Sequence, residues 1–368
     1  MLTLLASILM ARPLVMAHYM PWYESKSYGG EWGWHWTMNH FNPERGELAS
    51  QFHPLIGPYD SSDPATLECQ TLQMKIAGID GVFIDWYGTK DLYDYTKLNQ
   101  NTDLMIHACE KAGLKYSIVI EDAIVPGLVK AGKSTADDYA TSALDWMRSN
   151  WFDMPGYLHS KGQPVLLMFG PQYYKDPDLA RLFPGTALVT LLGRRDSAVG
   201  GYGWPEPQVG DEKSWDHVDS YYSRAKDWPL SIPVAYPRFE DIYKQAGVHD
   251  SWGEIKDRDG STFQRLFDRA TSSGARFVQI ATWNDWGEGT QVEPSTEFGY
   301  RDLEVIQAAK RSADPAFPFD AADLRMPAQI YALRKQGASG TKLDGCDKAL
   351  LAGKPRLARQ ILAGLKTR

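Results

Sequence analysis

Asp285 and Glu288 stand three residues apart in the stretch ATWNDWGEGTQVEP, Ala281 to Pro294, where an apolar run from Phe277 to Trp283 breaks off. Two carboxyls this close can divide an acid–base reaction between them. One stays protonated and one ionised, provided that their surroundings hold their pKa values apart. Trp283 and Trp286 offer apolar faces that shield an acid from water and raise its pKa. Gly287 and Gly289 flank Glu288, remove side-chain obstruction and widen the allowed backbone. Glycoside hydrolysis needs such a pair: a protonated carboxyl helps the leaving oxygen depart, and an ionised one serves as nucleophile or base. A plainer reading stands beside it, in which the acids cap turns and bond backbone amides. Spacing does not choose between them, because residues at i and i+3 meet only if the segment turns.

Other acids and aromatics follow other apolar runs. His18, Tyr19, Trp22 and Tyr23 come after the first, Asp85-Trp86-Tyr87 after the second and Glu121-Asp122 after the third. Tyr236 leads into Arg238, Glu240 and Asp241. Arg238 is the one prominent cation in this set, which argues against a phosphorylated substrate. The chain holds 13 Trp and 19 Tyr, with a dense cluster at Trp32-Gly33-Trp34-His35-Trp36. Flat apolar faces with polar edges suit sugar rings, although scattered aromatics more often cap a core. Asp85 and Asp122 read equally well as caps, and Gly57–Asp63 reads either as a hydroxyl-binding stretch or as a turn before a helix. No HExxH or close His-Asp-His pattern joins His18, His35 and His40, so no metal or other cofactor is expected. A GxSxG elbow and a glycine-rich phosphate loop are also missing. Cys69, Cys109 and Cys346 are odd in number and widely spaced, as buried free thiols would be.

Eight short apolar runs could position these residues: Leu14–Tyr19, Gly81–Trp86, Tyr116–Ile120, Pro164–Phe169, Ala187–Leu192, Gly201–Pro205, Ile232–Tyr236 and Phe277–Trp283. Helical patterns lie between several of them, at Pro64–Gly78, Leu98–Ala112, Ser134–Trp151 and Ser261–Ser273. Strands alternating with helices make a parallel sheet, and eight such units make an α/β fold of the (β/α)8 TIM-barrel type. Reaction residues then belong at the strand C-termini. Long aromatic loops are expected at Pro21–Asp63 and Glu206–Pro229. The division reads as a lead-in or signal remnant over 1–13, a catalytic barrel over 14–335 and a helical tail over 336–368. At 368 residues and 43% hydrophobic the chain affords a large core, and a net charge of −7 is no footprint for nucleic acid. No segment reads as a membrane span. The weak N-terminal apolar run favours an extracellular or periplasmic site over the cytoplasm. Nothing in the sequence sets the oligomeric state.

Five stretches occur in an order that resembles a known group: HYMPWY (His18–Tyr23), GWHWTMN (Gly33–Asn39), GPYDSSDP (Gly57–Pro64), AGIDGVFIDWYG (Ala77–Gly88) and WNDWGEGTQVEP (Trp283–Pro294). Together they resemble the glycoside hydrolase family 71/99-like group, which holds endo-α-mannosidases, endo-α-mannanases and endo-α-1,3-glucanases. The resemblance spans roughly Leu14 to Leu303. It implies an endo-acting α-glycosidase on a (β/α)8 barrel without a metal, with a polysaccharide or oligosaccharide as its partner. In family 99 the last motif reads W-N-E-W-x-E-G-T. Its second acid, at Glu288, is there the general acid/base, and its first, at Asp285, assists the sugar 2-hydroxyl as it attacks C1. Here the first acid is one methylene shorter, as in family 71, whose enzymes are thought to invert, so stereochemistry stays open. By position Tyr19, Trp22, His35 and Tyr59 are expected to contact the glycan. Trp86 and Glu121 should lie nearer the cleaved bond, Tyr236 on the floor, and Trp283, Asn284 and Trp286 around the acids. A silent glycan-binding barrel and a surface-polysaccharide assembly protein are the alternatives.

Overall fold

The structure, a computed structural model, describes residues 12–337 and 340–366. Residues 1–11 of the expected lead-in, with any signal in them, lie outside the described residues. Eight parallel strands follow one another around a barrel in chain order. They are β1 (Leu14–Tyr19), β2 (Gly81–Trp86), β3 (Lys115–Ile120), β4 (Gln163–Met168), β5 (Ala187–Leu191), β6 (Gly200–Tyr202), β7 and β8 (Phe277–Ile280). β7 consists of Leu230–Ile232 and Val234–Ala235 on either side of Pro233, a residue with no N–H to give to a ladder. Its first half pairs with β6 and its second with β8, and the Gln279 N–H donates to the Pro233 carbonyl at 2.9 Å. The interrupted strand therefore closes the ring, since β8 also pairs with β1.

Side chains alternate across each strand. Met16, Phe83, Val119, Leu167, Val189 and Tyr202 fill the barrel interior. Ala17, Val82, Ile84, Ile118, Leu166 and Leu188 face outward into the shell shared with the helices. The helix Pro64–Ala77 starts where Asp63 accepts the Ala65 N–H at 2.9 Å and ends at Gly78 in the left-handed region, φ 86°. Tyr95–Ala112, Ala136–Asn150 and Ser261–Thr271 cover the other expected helical segments, within a few residues at each end.

Two features depart from expectation. Glu206–Pro229 is not a loop: it carries the helix Asp211–Ala225, whose buried Ser214, Val218, Tyr221 and Ala225 recur at helical spacing beneath its aromatic content. The link from β5 to β6, residues 192–199, carries no helix. At the C-terminus, helices Gly340–Leu351 and Pro355–Lys366 pack on each other, the first also against Pro64–Ala77, burying Leu343, Cys346, Leu350, Ala358 and Leu362. All three cysteines are free and buried. Among the described residues no helix is long and apolar enough to cross a membrane.

Candidate active site

The alternation that fills the barrel also builds its upper layer. Counting by twos from Met16, Phe83, Val119, Leu167 and Tyr202 gives His18, Asp85, Glu121, Phe169 and Trp204 at the C-terminal mouth. His18 and Phe169 pack edge-on to Trp204 at 4.8 and 5.0 Å between ring centroids. Burial holds the His18 pKa down at about 3, so its imidazole is neutral. Asp85 is buried, and neither of its carboxyl oxygens has a hydrogen-bond donor. Its neighbour is Glu121. Burial and each other's charge push Asp85 well above the carboxylate range, and burial lifts Glu121 to about 8. Two buried carboxyls this near each other disfavour double ionisation.

Across the mouth, the segment after β8 turns sharply. The Trp283 N–H donates to the His18 carbonyl at 2.7 Å and the Asp285 N–H to Thr282 Oγ1 at 2.7 Å. The Trp286 N–H donates to Tyr23 Oη at 3.0 Å, and Tyr23 Oη donates to the Asn284 carbonyl at 2.9 Å. The Glu288 N–H then closes back on Asp285 Oδ1 at 3.0 Å. The segment turns, so the two acids meet. Burial raises Asp285 to about 7, opposed by N–H donation from Glu288 and Gly287. Glu288 rises well above its ordinary value through burial, then the charges of Asp285, Asp241 and Glu121, and its Oε2 has no partner. The backbone donors favour ionised Asp285, and the bare oxygen favours protonated Glu288. Of the two, Asp285 is the carboxyl that ionises first as pH rises, and Glu288 the one that keeps its proton longer.

The flanking glycines serve packing more than access. A Cβ at Gly289, whose φ is 68°, would lie 2.7 Å from the Glu240 carbonyl oxygen, and one at Gly287 would lie 3.1 Å from Met38 Cε. This close approach lets the Glu240 N–H donate to the Glu288 carbonyl at 2.9 Å and the Ile242 N–H to the Gly287 carbonyl at 3.0 Å. Beneath the loop lies a buried polar network centred on Glu293. Its carboxylate accepts from Tyr59 Oη at 2.7 Å, Gln70 Nε2 at 2.7 Å and Trp286 Nε1 at 3.1 Å. Asn284 Nδ2 donates to Tyr59 Oη at 3.1 Å and to the Met20 carbonyl at 2.9 Å, while Asn284 Oδ1 accepts the Met20 N–H at 2.8 Å. Tyr19 Oη donates to Gln70 Oε1 at 2.9 Å. Among the described residues no three His, Cys, Asp or Glu side chains converge as metal ligands would.

No protein-family model matches the sequence. The chain is 26% identical over 332 residues to a glycoprotein endo-α-1,2-mannosidase of Rattus norvegicus, covering 76% of this chain and 67% of that protein. It is 20% identical over 285 residues to an endo-α-1,2-mannosidase-like protein of Danio rerio, covering 67% of this chain and 60% of that one. It thus spans about two thirds of the length of these relatives. The solved family 99 endo-α-mannosidase of Bacteroides thetaiotaomicron superposes with a TM-score of 0.62 at 20% identity, over 82% of this chain and 98% of that one. The chain is family 99-like. The family 71 side of the resemblance gains no support from these relatives.

The family 99-like barrel does not use all the expected residues alike. Glu288, Glu121, Trp22 and His35 are half-buried and present surface at the mouth, and Asp285 lies just beneath at 4% exposure. Trp22 and His35 stack at 4.2 Å. Tyr19, Tyr59, Asn284 and Trp286 are fully enclosed and spend their polar atoms on the Glu293 network, so they brace the acids instead of offering a face to a glycan. Trp283 is likewise enclosed. Trp86 points outward, where Nε1 donates to Asn99 Oδ1 at 2.9 Å and the ring packs on Trp151, away from any cleaved bond. Tyr236 is not a floor residue: it lies under the helix Asp211–Ala225 beside Ser214 and Val218. Arg238 is buried against Asp257 and Asp302 and stays out of the mouth. Asp122 proves to be a cap, accepting the N–H groups of Gln172, Tyr173 and Tyr174, and Asp60 and Asp63 in Gly57–Asp63 bond backbone amides in the same way. Phe169, Trp204, Glu293 and Tyr243, whose hydroxyl feels the Glu288 charge, were not among the expected site residues, while Asp85 and Tyr87 were expected only as residues following the second run, with Asp85 equally readable as a cap. Period-two counting from the strand cores finds Asp85, Phe169 and Trp204; Tyr243 and Glu293 carry no local signal.

Proposed function

We propose that this protein is a glycoside hydrolase that cleaves α-linked mannose polymers within the chain. The observation that carries the reading is the asymmetric pair after β8: Asp285, buried and held by the Glu288 N–H, beside a half-buried Glu288 left without a partner on Oε2 at the mouth of the barrel. Glu288 donates its proton to the departing glycosidic oxygen. Asp285 draws a proton from the attacking oxygen, which is either the sugar's own 2-hydroxyl, giving retention, or a water, giving inversion. The names of the relatives support the α-mannoside and the endo mode. Arg238, the cation the sequence set beside these acids, is held away from the mouth by Asp257 and Asp302, which fits a neutral sugar.

The test is hydrolysis of a panel of α-mannans and α-glucans, with products followed by proton NMR from the first minutes. A new oligosaccharide from an α-mannan is expected, and its first anomer reports the route. Glu288→Gln should lower the rate about a hundred- to ten-thousandfold while glycan binding is retained. Unchanged hydrolysis in that variant would sink the proposal. Tight binding without turnover in the unaltered protein would replace it with a glycan-binding barrel.

A further inference from the structure

A run of six rings leads from the carboxyls to the outer rim. Tyr87 sits beside Asp85 and Glu121, close enough for both charges to act on its hydroxyl. From Tyr87 the run goes one way to Trp22 at 6.4 Å, His35 at 4.2 Å and Trp34 at 5.0 Å. The other way it goes to Tyr95 at 5.0 Å and Tyr93 at 5.8 Å. The two branches are tied at the rim, where His35 Nε2 lies 3.7 Å from Asp94 Oδ2, and Trp34 and Tyr93 are the chain neighbours of those two residues. Both end rings are open, Trp34 at 39% and Tyr93 at 82% exposure. Packing does not account for Tyr93, which buries little of its ring and holds a left-handed φ of 51°. Single exposed aromatics need no explanation, but two that end a continuous aromatic path from an acid pair do.

We propose that Trp34 and Tyr93 form an outer subsite on which sugar rings of the polymer, remote from the cleaved bond, stack. The inference rests on the glycosidase reading above. Flat, partly exposed rings bind the apolar faces of sugars, and the Asp94 carboxylate next to Tyr93 in the chain can accept sugar hydroxyls. An enzyme that cuts within a chain must grip units on either side of the cut. The acid pairs hold the unit being cleaved, and the rim extends the grip outward.

Two measurements test this together. One is the ratio of kcat/KM on size-fractionated α-mannan to that on the shortest α-manno-oligosaccharide cleaved. The other is retardation in gels containing α-mannan, which reads binding without turnover. In Trp34→Ala/Tyr93→Ala the ratio should fall about tenfold, chiefly through KM on the polymer, and retardation should weaken. Trp34→Phe/Tyr93→Phe, which keeps a ring at each place, should restore most of both. A double alanine variant that cuts and binds the polymer as the unaltered protein does would overturn the subsite and leave the glycosidase reading standing. An unaltered protein that neither binds nor cuts α-mannan would overturn both.

Discussion

Asp285→Asn should cost the enzyme its activity and make the fold more stable, in a way that depends on pH. Burial lifts the Asp285 carboxyl from 3.8 to about 7 in the folded chain. That is about three pKa units, and at 1.36 kcal/mol each it is about 4 kcal/mol against the charged form. The sign follows from proton counts. Below about pH 4 both folded and unfolded chains hold the proton. Between about 4 and 7 the unfolded chain has lost it and the folded chain has not, so this group's contribution to stability falls as pH rises, and above about 7 the full loss is in place. Asparagine does not titrate, and its carbonyl oxygen can still accept the Glu288 N–H that Asp285 Oδ1 accepts at 3.0 Å. The stability gap between variant and unaltered protein should therefore widen by about 4 kcal/mol from pH 4 to pH 8. For a chain of 368 residues that is about 5 °C in Tm. Thermal and urea unfolding of both proteins at pH 4, 6 and 8 reads it directly. A gap that stays flat across that range, or closes, would refute the claim that Asp285 is held in a site hostile to its charge, and with it the assignment of separate proton states to the pair.

Three further outcomes follow from the same geometry. The pH profile of kcat/KM should be bell-shaped, with its acid limb near 7, where Asp285 ionises, and its alkaline limb above that, where Glu288 loses its proton; an acid limb at ordinary carboxylate pH would count against the pair. Tyr59→Phe removes a hydroxyl that Glu293 and Asn284 both use, so unfolding should become easier by about 1–3 kcal/mol and kcat should fall as the loop loosens; a variant with unaltered Tm would mean that the network does not brace the acids. Gly289→Ala places a Cβ 2.7 Å from the Glu240 carbonyl oxygen at a φ of 68°, and should lose about 1–3 kcal/mol of stability by urea titration together with most activity.

How much of this was legible beforehand differs from element to element. The barrel was: eight apolar runs, four of them followed by a helical pattern, match eight strands to within a few residues, because a strand buried on both faces leaves a continuous apolar run in the sequence. The indoles and glycines marked the last-strand acids in the sequence, but whether Asp285 and Glu288 meet depended on the turn that the Glu288 N–H closes on Asp285. The same alternation, applied strictly, would have turned Tyr19 and Trp86 outward and brought in Asp85, Phe169 and Trp204, as their neighbours Met16, Phe83, Leu167 and Tyr202 require. The helix Asp211–Ala225 escaped because its aromatics drew attention away from the spacing of Val218, Tyr221 and Ala225. What local sequence could not carry was the company each acid keeps. Asp85 and Glu121 come from different strands, and Glu293 reaches Tyr59 and Gln70 from distant parts of the chain. A carboxyl's proton is set by burial and by neighbours within a few ångströms, and only closing the barrel fixes which neighbours those are.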